Sequence, residues 1–176
     1  MIDWQSAYPE LVGVRLNMVV SSVGSFTDEN GSSRGISNDL DRKLIGHLRR
    51  QSDVVVTGGN TARKEQYRVP SHCALAVISN SFTLEQEGYI RLDDPTTSIS
   101  KLTELGFERI LLETGPFLSK FFLETGQVDE FCLTITNGDL EVAAKTVAGF
   151  GVDLKLLGAA ELEGTLFTRW RRGNGE

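Results

Sequence analysis

The chain has 176 residues, 40% of them hydrophobic, with 24 acidic against 18 basic side chains and a formal net charge of -6. That length suits about one domain, 1–176, with a core of its own, and the acidic balance argues against a general nucleic-acid or anionic-membrane binder, so any anionic ligand must be held by local geometry. Two cysteines, Cys73 and Cys132, and two histidines, His47 and His72, exclude a disulfide framework, a four-cysteine zinc site and a His-rich metal centre.

The first segment, MIDWQSAYPE, has no basic run ahead of an apolar one, and no stretch nears the ~20 apolar residues that cross a bilayer, so the chain is expected to be cytoplasmic. Val12–Val20 reads as a first strand, followed by a polar loop over Ser21–Arg34. Ser37 or Asn38 then caps a helix whose Leu40, Leu44, Ile45 and Leu48 fall on one face of a 3.6-residue period, ending in His47, Arg49 and Arg50 where cations complement the helix dipole. Asp53–Thr57 is a second strand running into Gly58-Gly59-Asn60-Thr61 and a further helix, and Ala74–Ser79 is a third. Leu102 and Leu105 mark a helix closed by Gly106, after which Glu108–Glu113 is again a strand. Thr114-Gly115-Pro116 opens a helix that Gly126 ends, and Glu130–Thr136 is strand-like. Beyond Gly138 the glycine-rich remainder reads as antiparallel strands at the sheet edge, with no convincing helix between its apolar runs. Both cysteines sit in apolar runs, CALAV and FCLTI, as packing residues.

Strands alternating with helices build a mainly parallel sheet, and ligands of such sheets bind outside the carboxyl ends of the strands. Two strand ends carry chemistry. VVVTGGNTAR breaks a strand into a glycine pair before a helix, where backbone N–H groups and the helix dipole favour a phosphate; Thr61 adds a hydroxyl, and Arg63, Lys64 or Arg68 a cation. LLETGPFLSKFFL repeats the arrangement with Glu113 at the strand end, a carboxylate able to bind a polar ligand edge or to act as an acid or base. Glu65 and Asp129 are further candidates for moving a proton. Two such turns suit a dinucleotide better than a single phosphate. No metal, nucleophile-elbow or Walker motif is present, so chemistry delegated to a bound cofactor is the better fit.

Taken in order, LNMVVSSVG, LIGHLRRQSDVVVTGGNTARKEQY, LAVISNSFTL, LGFERILLETGP, GQVDEFCLTIT and GTLFTRW resemble the reductase domain of riboflavin biosynthesis and its stand-alone bacterial pyrimidine reductase relatives. The resemblance implies a dihydrofolate-reductase-like α/β fold, a mixed, mainly parallel sheet flanked by helices with antiparallel strands at the C-terminus. It also implies an NADPH-dependent oxidoreductase acting on a phosphoribosylamino-pyrimidine or a related small heterocycle, working as a homodimer without nucleic acid or membrane. By the same resemblance Gly58, Gly59, Thr61, Arg63, Ser79, Thr114, Gly115 and Pro116 bind the cofactor, Asn17, Ser21, Ser37 and Arg49 face substrate, with Arg49 on its phosphate, and Glu113 is the catalytic carboxylate. Two positions depart from the family pattern: Val23 stands where an aspartate is usual, and Thr114 where a second glycine is usual. They leave room for a second reading, a divergent NADP(H)-binding protein of the same fold without this activity.

Overall fold

The computed structural model describes residues 1–81 and 87–173; the last three residues of the LAVISNSFTL match lie outside them. Eight strands form one sheet: β1 (Gly13–Val20), β2 (Val54–Gly58), β3 (Ala74–Ile78), β4 (Ile90–Leu92), β5 (Arg109–Leu112), β6 (Glu130–Thr136), β7 (Leu154–Leu162) and β8 (Thr165–Arg172). Their spatial order is β4-β3-β2-β5-β1-β6-β8-β7. The first six run parallel, while β8 is antiparallel to both β6 and β7. The C-terminal hairpin is therefore as the glycine-rich ending suggests.

Strand alternation sorts the side chains of β1. Val14, Leu16, Met18 and Val20 join one apolar layer, while Arg15, Asn17 and Val19 point the other way. The first layer is covered by α4 (Pro95–Glu104), α5 (Pro116–Glu124) and α6 (Leu140–Ala148), through Leu102, Phe122, Leu123, Ala143 and Val147. The opposite layer holds α1 (Trp4–Ala7), α2 (Asp39–Arg50) and α3 (Gly59–Lys64), through Trp4, Leu44, Leu48 and Ala62. Leu44 and Leu48 are fully buried against Val55, Leu111 and their neighbours; at about 1.5–3 kcal/mol for each such side chain, this contact fixes α2 to the sheet.

Helix α2 starts where its sequence says it should. Asn38 is the cap, its side chain accepting from the Asp41 N–H at 2.9 Å, while Ser37 donates instead to the Asp41 carboxylate at 2.6 Å. Three elements lie outside the sequence reading, the first being the one-turn α1, which Asp3 caps by accepting from Gln5 and Ser6. Helix α6 fills part of the stretch after Gly138: Asp139 caps it by accepting from Glu141 and Val142, and its short LEVAAKTVA run is hidden among the glycines that flank it. Strand β4 has three residues and no periodicity to betray it.

The chain steps outward from β1 to β2, β3 and β4, then returns to insert β5 between β2 and β1. This reversal brings the carboxyl ends of β2, β5 and β1 side by side, the place where an open α/β sheet leaves a crevice. Among the described residues no helix is long and apolar enough to cross a membrane.

Candidate active site

A cavity of about 540 Å³ opens at those strand ends. Twelve residues singled out by sequence line it: Asn17 from β1, Gly58, Gly59, Thr61, Arg63, Lys64 and Glu65 from the β2–α3 turn, helix and its end, Ser79 after β3, and Glu113, Thr114, Gly115 and Pro116 between β5 and α5. Ser21, Ser37 and Arg49 do not. The Ser21 hydroxyl accepts from the Ser25 N–H within its own turn, Ser37 is bound to Asp41, and Arg49 stands behind Glu113.

The two glycine turns are parts of one surface. A methyl group on Gly58 would meet Leu118 of α5 at 2.8 Å, and one on Gly115 would meet the Thr61 hydroxyl of α3 at 3.3 Å. Absence of a side chain at both positions lets the turns close on each other. Gly115 caps the nine-residue α5 without any side-chain hydrogen bond, so the first-turn amides of Phe117 and Leu118, which line the cavity, carry the positive end of that helix dipole uncovered. Thr114 is compatible with this turn because its hydroxyl pairs with that of Ser119, 2.8 Å away, inside α5.

Glu113, 8% exposed, is held on three sides. Arg49 grips it in a fork, Nε to Oε1 at 2.8 Å and Nη2 to Oε2 at 2.6 Å, and the Tyr67 hydroxyl donates to Oε2. The Arg49 guanidinium also lies 5.4 Å from the centre of the Tyr67 ring. Hydrogen bonding to Glu113 raises the Arg49 pKa, and burial, reinforced by the charge of Glu113, pushes the Tyr67 phenol well up, so Tyr67 stays a donor. Both carboxylate oxygens are thus engaged, and the structure spends Arg49 on Glu113 where the resemblance placed a substrate phosphate. Tyr67 escaped the sequence reading because it lies in an irregular segment 46 residues from its partner.

Glu65 is used differently. Its Oε1 accepts from the Ser32 hydroxyl at 2.9 Å, the Ser33 N–H at 2.8 Å and the Ser33 hydroxyl at 3.2 Å, and Arg34 pairs with Oε2 at 3.2 Å. The Arg34 side chain also donates to the Glu65 backbone carbonyl. One carboxylate therefore clasps the loop after β1 and holds Gly31 and Ser33 as cavity wall. Asp129 lies at the far end of the sheet, accepting from the Val14 N–H at 2.8 Å, and is removed from the proton-transfer candidates. Val23 is 84% exposed and does not line this cavity. Arg68 does not line it either. Cys132 is buried as expected, whereas Cys73 is only half-buried.

Asp41 is a functional candidate that the sequence reading missed, although Asp41, Ile45 and Arg49 recur every four residues of α2 and so share a face. It is fully buried. Burial pushes its carboxyl pKa up, with the nearby charge of Glu113 adding to the rise, while hydrogen bonding from Ser37 opposes it.

The family model of the RibD C-terminal domain matches residues 13–137. The chain belongs to the RibD C-terminal domain family. A pyrimidine reductase-like protein from Corynebacterium diphtheriae shares the fold with a TM-score of 0.77 at 19% identity, over 98% of this chain and 99% of that one. The deaminase/5-amino-6-(5-phosphoribosylamino)uracil reductase of Thermotoga maritima superposes with a TM-score of 0.70 at 16% identity, over 92% of this chain and 56% of that one. For RibD from Acinetobacter baumannii the TM-score is 0.69 at 18% identity, over 97% and 60%. No curated protein matches the sequence. The fold is thus the mixed α/β architecture of the RibD and dihydrofolate-reductase-like proteins, antiparallel C-terminal strands included.

Two outcomes check the geometry. Glu65→Ala should release the 32–34 segment, speeding amide exchange at Ser33 roughly tenfold or more while β1 amides keep their protection; unchanged exchange at Ser33 contradicts the clasp. Asp41 has a native pKa above that of an ordinary aspartate, so the folded state binds more protons than the unfolded one as pH rises past the ordinary carboxylate range. The stability of the protein relative to Asp41→Asn should therefore fall between acid and neutral pH in paired denaturant titrations. A relative stability that rises with pH would reverse the assignment.

Proposed function

We propose that the protein is an NADPH-dependent reductase acting on a phosphoribosylamino-pyrimidine of riboflavin biosynthesis or a related small heterocycle. The observation that carries this reading is the charge balance of the cavity. Among the described residues its two lining carboxylates, Glu65 and Glu113, are each paired with an arginine from outside the lining, Arg34 and Arg49. Arg63 and Lys64 also line it, and the uncapped start of α5 adds positive potential. An acidic protein thereby presents one locally positive crevice, the condition for holding a multiply phosphorylated ligand. Family membership supports the same reaction class, as does the reductase activity in the name of the Thermotoga relative.

The residues fit such a cofactor. Gly58, Gly59, Gly115 and Pro116 let its phosphates approach the backbone, Thr61 and Ser79 supply hydroxyls beside them, and Arg63 or Lys64 takes the additional phosphate. Bound NADPH supplies the hydride. The chain's own contribution is position: Arg49 and Tyr67 hold Glu113 as a fixed, neutralised wall, Glu65 fixes the loop that closes the opposite side, and Asn17 faces the space between them. Ser37 acts through Asp41, and Ser21 through the turn it stabilises.

One observation favours the second reading, an NADP(H)-binding protein without this turnover: Val23 points to solvent, so the loop after β1 brings no carboxylate of its own into the cavity. Steady-state NADPH oxidation with 5-amino-6-(5-phosphoribosylamino)uracil separates the two, since tight cofactor binding without substrate-dependent oxidation selects the second. The cofactor class is tested first. NADPH should bind more tightly than NADH, and Arg63→Ala or Lys64→Ala should weaken NADPH by about 1.5–3 kcal/mol, the range of a charged hydrogen bond, with little effect on NADH. Equal losses for both cofactors in both variants would contradict the proposal.

A further inference from the structure

Two walls of the cavity, Glu113 and Glu65, are negative groups held by an arginine that stands behind them. A third wall is the turn after β3, where Ser79, Asn80 and Ser81 all line the cavity. Its acceptors are backbone carbonyls, and an arginine stands behind these too.

Strand geometry shows where the carbonyls of this turn would point unaided. The Ser79 N–H donates to the Leu92 carbonyl at 2.8 Å, so Ser79 still belongs to the ladder between β3 and β4, and its N–H and C=O both face β4. An extended Asn80 would face the other way and aim its C=O at β2, whose end borders the cavity. Arg91 of β4 prevents this. Its Nη2 donates to the Asn80 carbonyl at 2.7 Å and its Nε to the Ser79 carbonyl at 3.3 Å. In a trans peptide the N–H opposes the C=O, so with both carbonyls drawn to Arg91 the amides of Asn80 and Ser81 turn away from it. The Ser81 N–H closes the turn on the Ser79 hydroxyl at 3.3 Å, and among the described residues nothing accepts from the Asn80 N–H. The guanidinium thus exchanges an acceptor for a donor on the cavity side without belonging to the lining itself.

Register puts Arg91 on the side where this matters. It pairs with Val77, which faces the same layer as Ala62 of α3, and α3 carries Arg63 and Lys64 in its last turn. A carbonyl aimed at a phosphate beside those cations would repel it, whereas an N–H attracts it. We propose that Arg91 is a positioning residue for phosphate: it acts through the backbone of Ser79 and Asn80, holding their carbonyls out of the cavity so that the rim beside α3 presents donors. The inference rests on the proposed function for the identity of that phosphate, the additional one that Arg63 or Lys64 takes. The Asp93 carboxylate also lies 3.3 Å from Arg91 Nε, both side chains being largely exposed, and it supplies a control.

The test uses the full chain and calorimetric titrations with NADPH, NADH and adenosine 2′,5′-bisphosphate, a phosphate probe that carries no nicotinamide. Arg91→Ala should speed amide exchange at Ser81 roughly tenfold or more, and it should weaken the bisphosphate and NADPH about five- to tenfold while NADH changes less than about twofold. Arg91→Lys keeps the charge but not the fork that spans two carbonyls, so it should recover only part of the loss. Asp93→Asn leaves both carbonyl bonds in place and should bind all three ligands as the unsubstituted protein does. Unchanged bisphosphate affinity in Arg91→Ala overturns the proposal. So does full recovery in Arg91→Lys, which assigns the effect to charge alone, and so does a lower Tm with equal losses for NADPH and NADH, the outcome of a role confined to seating β4. Loss in Asp93→Asn matching that in Arg91→Ala also overturns it. Bisphosphate binding that depends on Arg91 in a protein that fails to bind NADPH upholds the positioning role and removes the reductase reading alone; binding of neither overturns both.

Discussion

The fork between Arg49 and Glu113 is the contact on which the cavity depends. It joins α2 to the end of β5, two elements 64 residues apart in sequence, at the point where three strand ends converge. A carboxylate that is 8% exposed at the centre of a crevice would repel any phosphate; a planar guanidinium that meets both oxygens cancels the charge and fixes the geometry together. Tyr67 closes the third side with a phenol kept protonated by its burial. The strand end can then be polar without being negative.

Everything else in the site is arranged around that neutral wall. Leu44 and Leu48 seat α2 so that Arg49 reaches Glu113 from behind, and the same helix carries Ile45 and Asp41 over the sheet. On the other side the glycine turns touch each other, so the uncapped amides of α5 face the same space as α3. Glu65 repeats the logic of Glu113 at the rim: its charge is paired with Arg34 while its oxygens organise the loop. A net charge of -6 is thereby compatible with an anion-receptive cavity, because the described carboxylates that line it are already partnered.

Local features were legible in the sequence because their causes are local. Gly58-Gly59 and Gly115-Pro116 announce strand-to-helix turns from composition alone, and the α2 face follows from its apolar spacing. The family pattern placed Asn17 and the glycine-turn residues on the cavity. What escaped depends on tertiary contact. Nothing near Arg49 reveals that it is committed to Glu113, nothing near Tyr67 marks it as a donor to that carboxylate, and Glu65, read from sequence as a carboxylate able to move a proton, shows its role as a clasp only once the loop folds onto it. Helix α6 was missed for a different reason: nine residues bordered by glycines carry too little periodicity to stand out, and packing of Ala143 and Val147 on the sheet completes it. The departures at Val23 and Thr114 have physical answers too, one side chain turned to solvent and the other absorbed by Ser119.

The central claim is that Arg49 makes the crevice receptive to phosphate by cancelling Glu113, and a double-mutant cycle on NADPH affinity tests it most directly. Arg49→Met should weaken NADPH about tenfold or more by leaving the carboxylate unpaired, and Arg49→Met combined with Glu113→Gln should recover most of that loss. A double variant that binds NADPH as poorly as Arg49→Met would contradict the account.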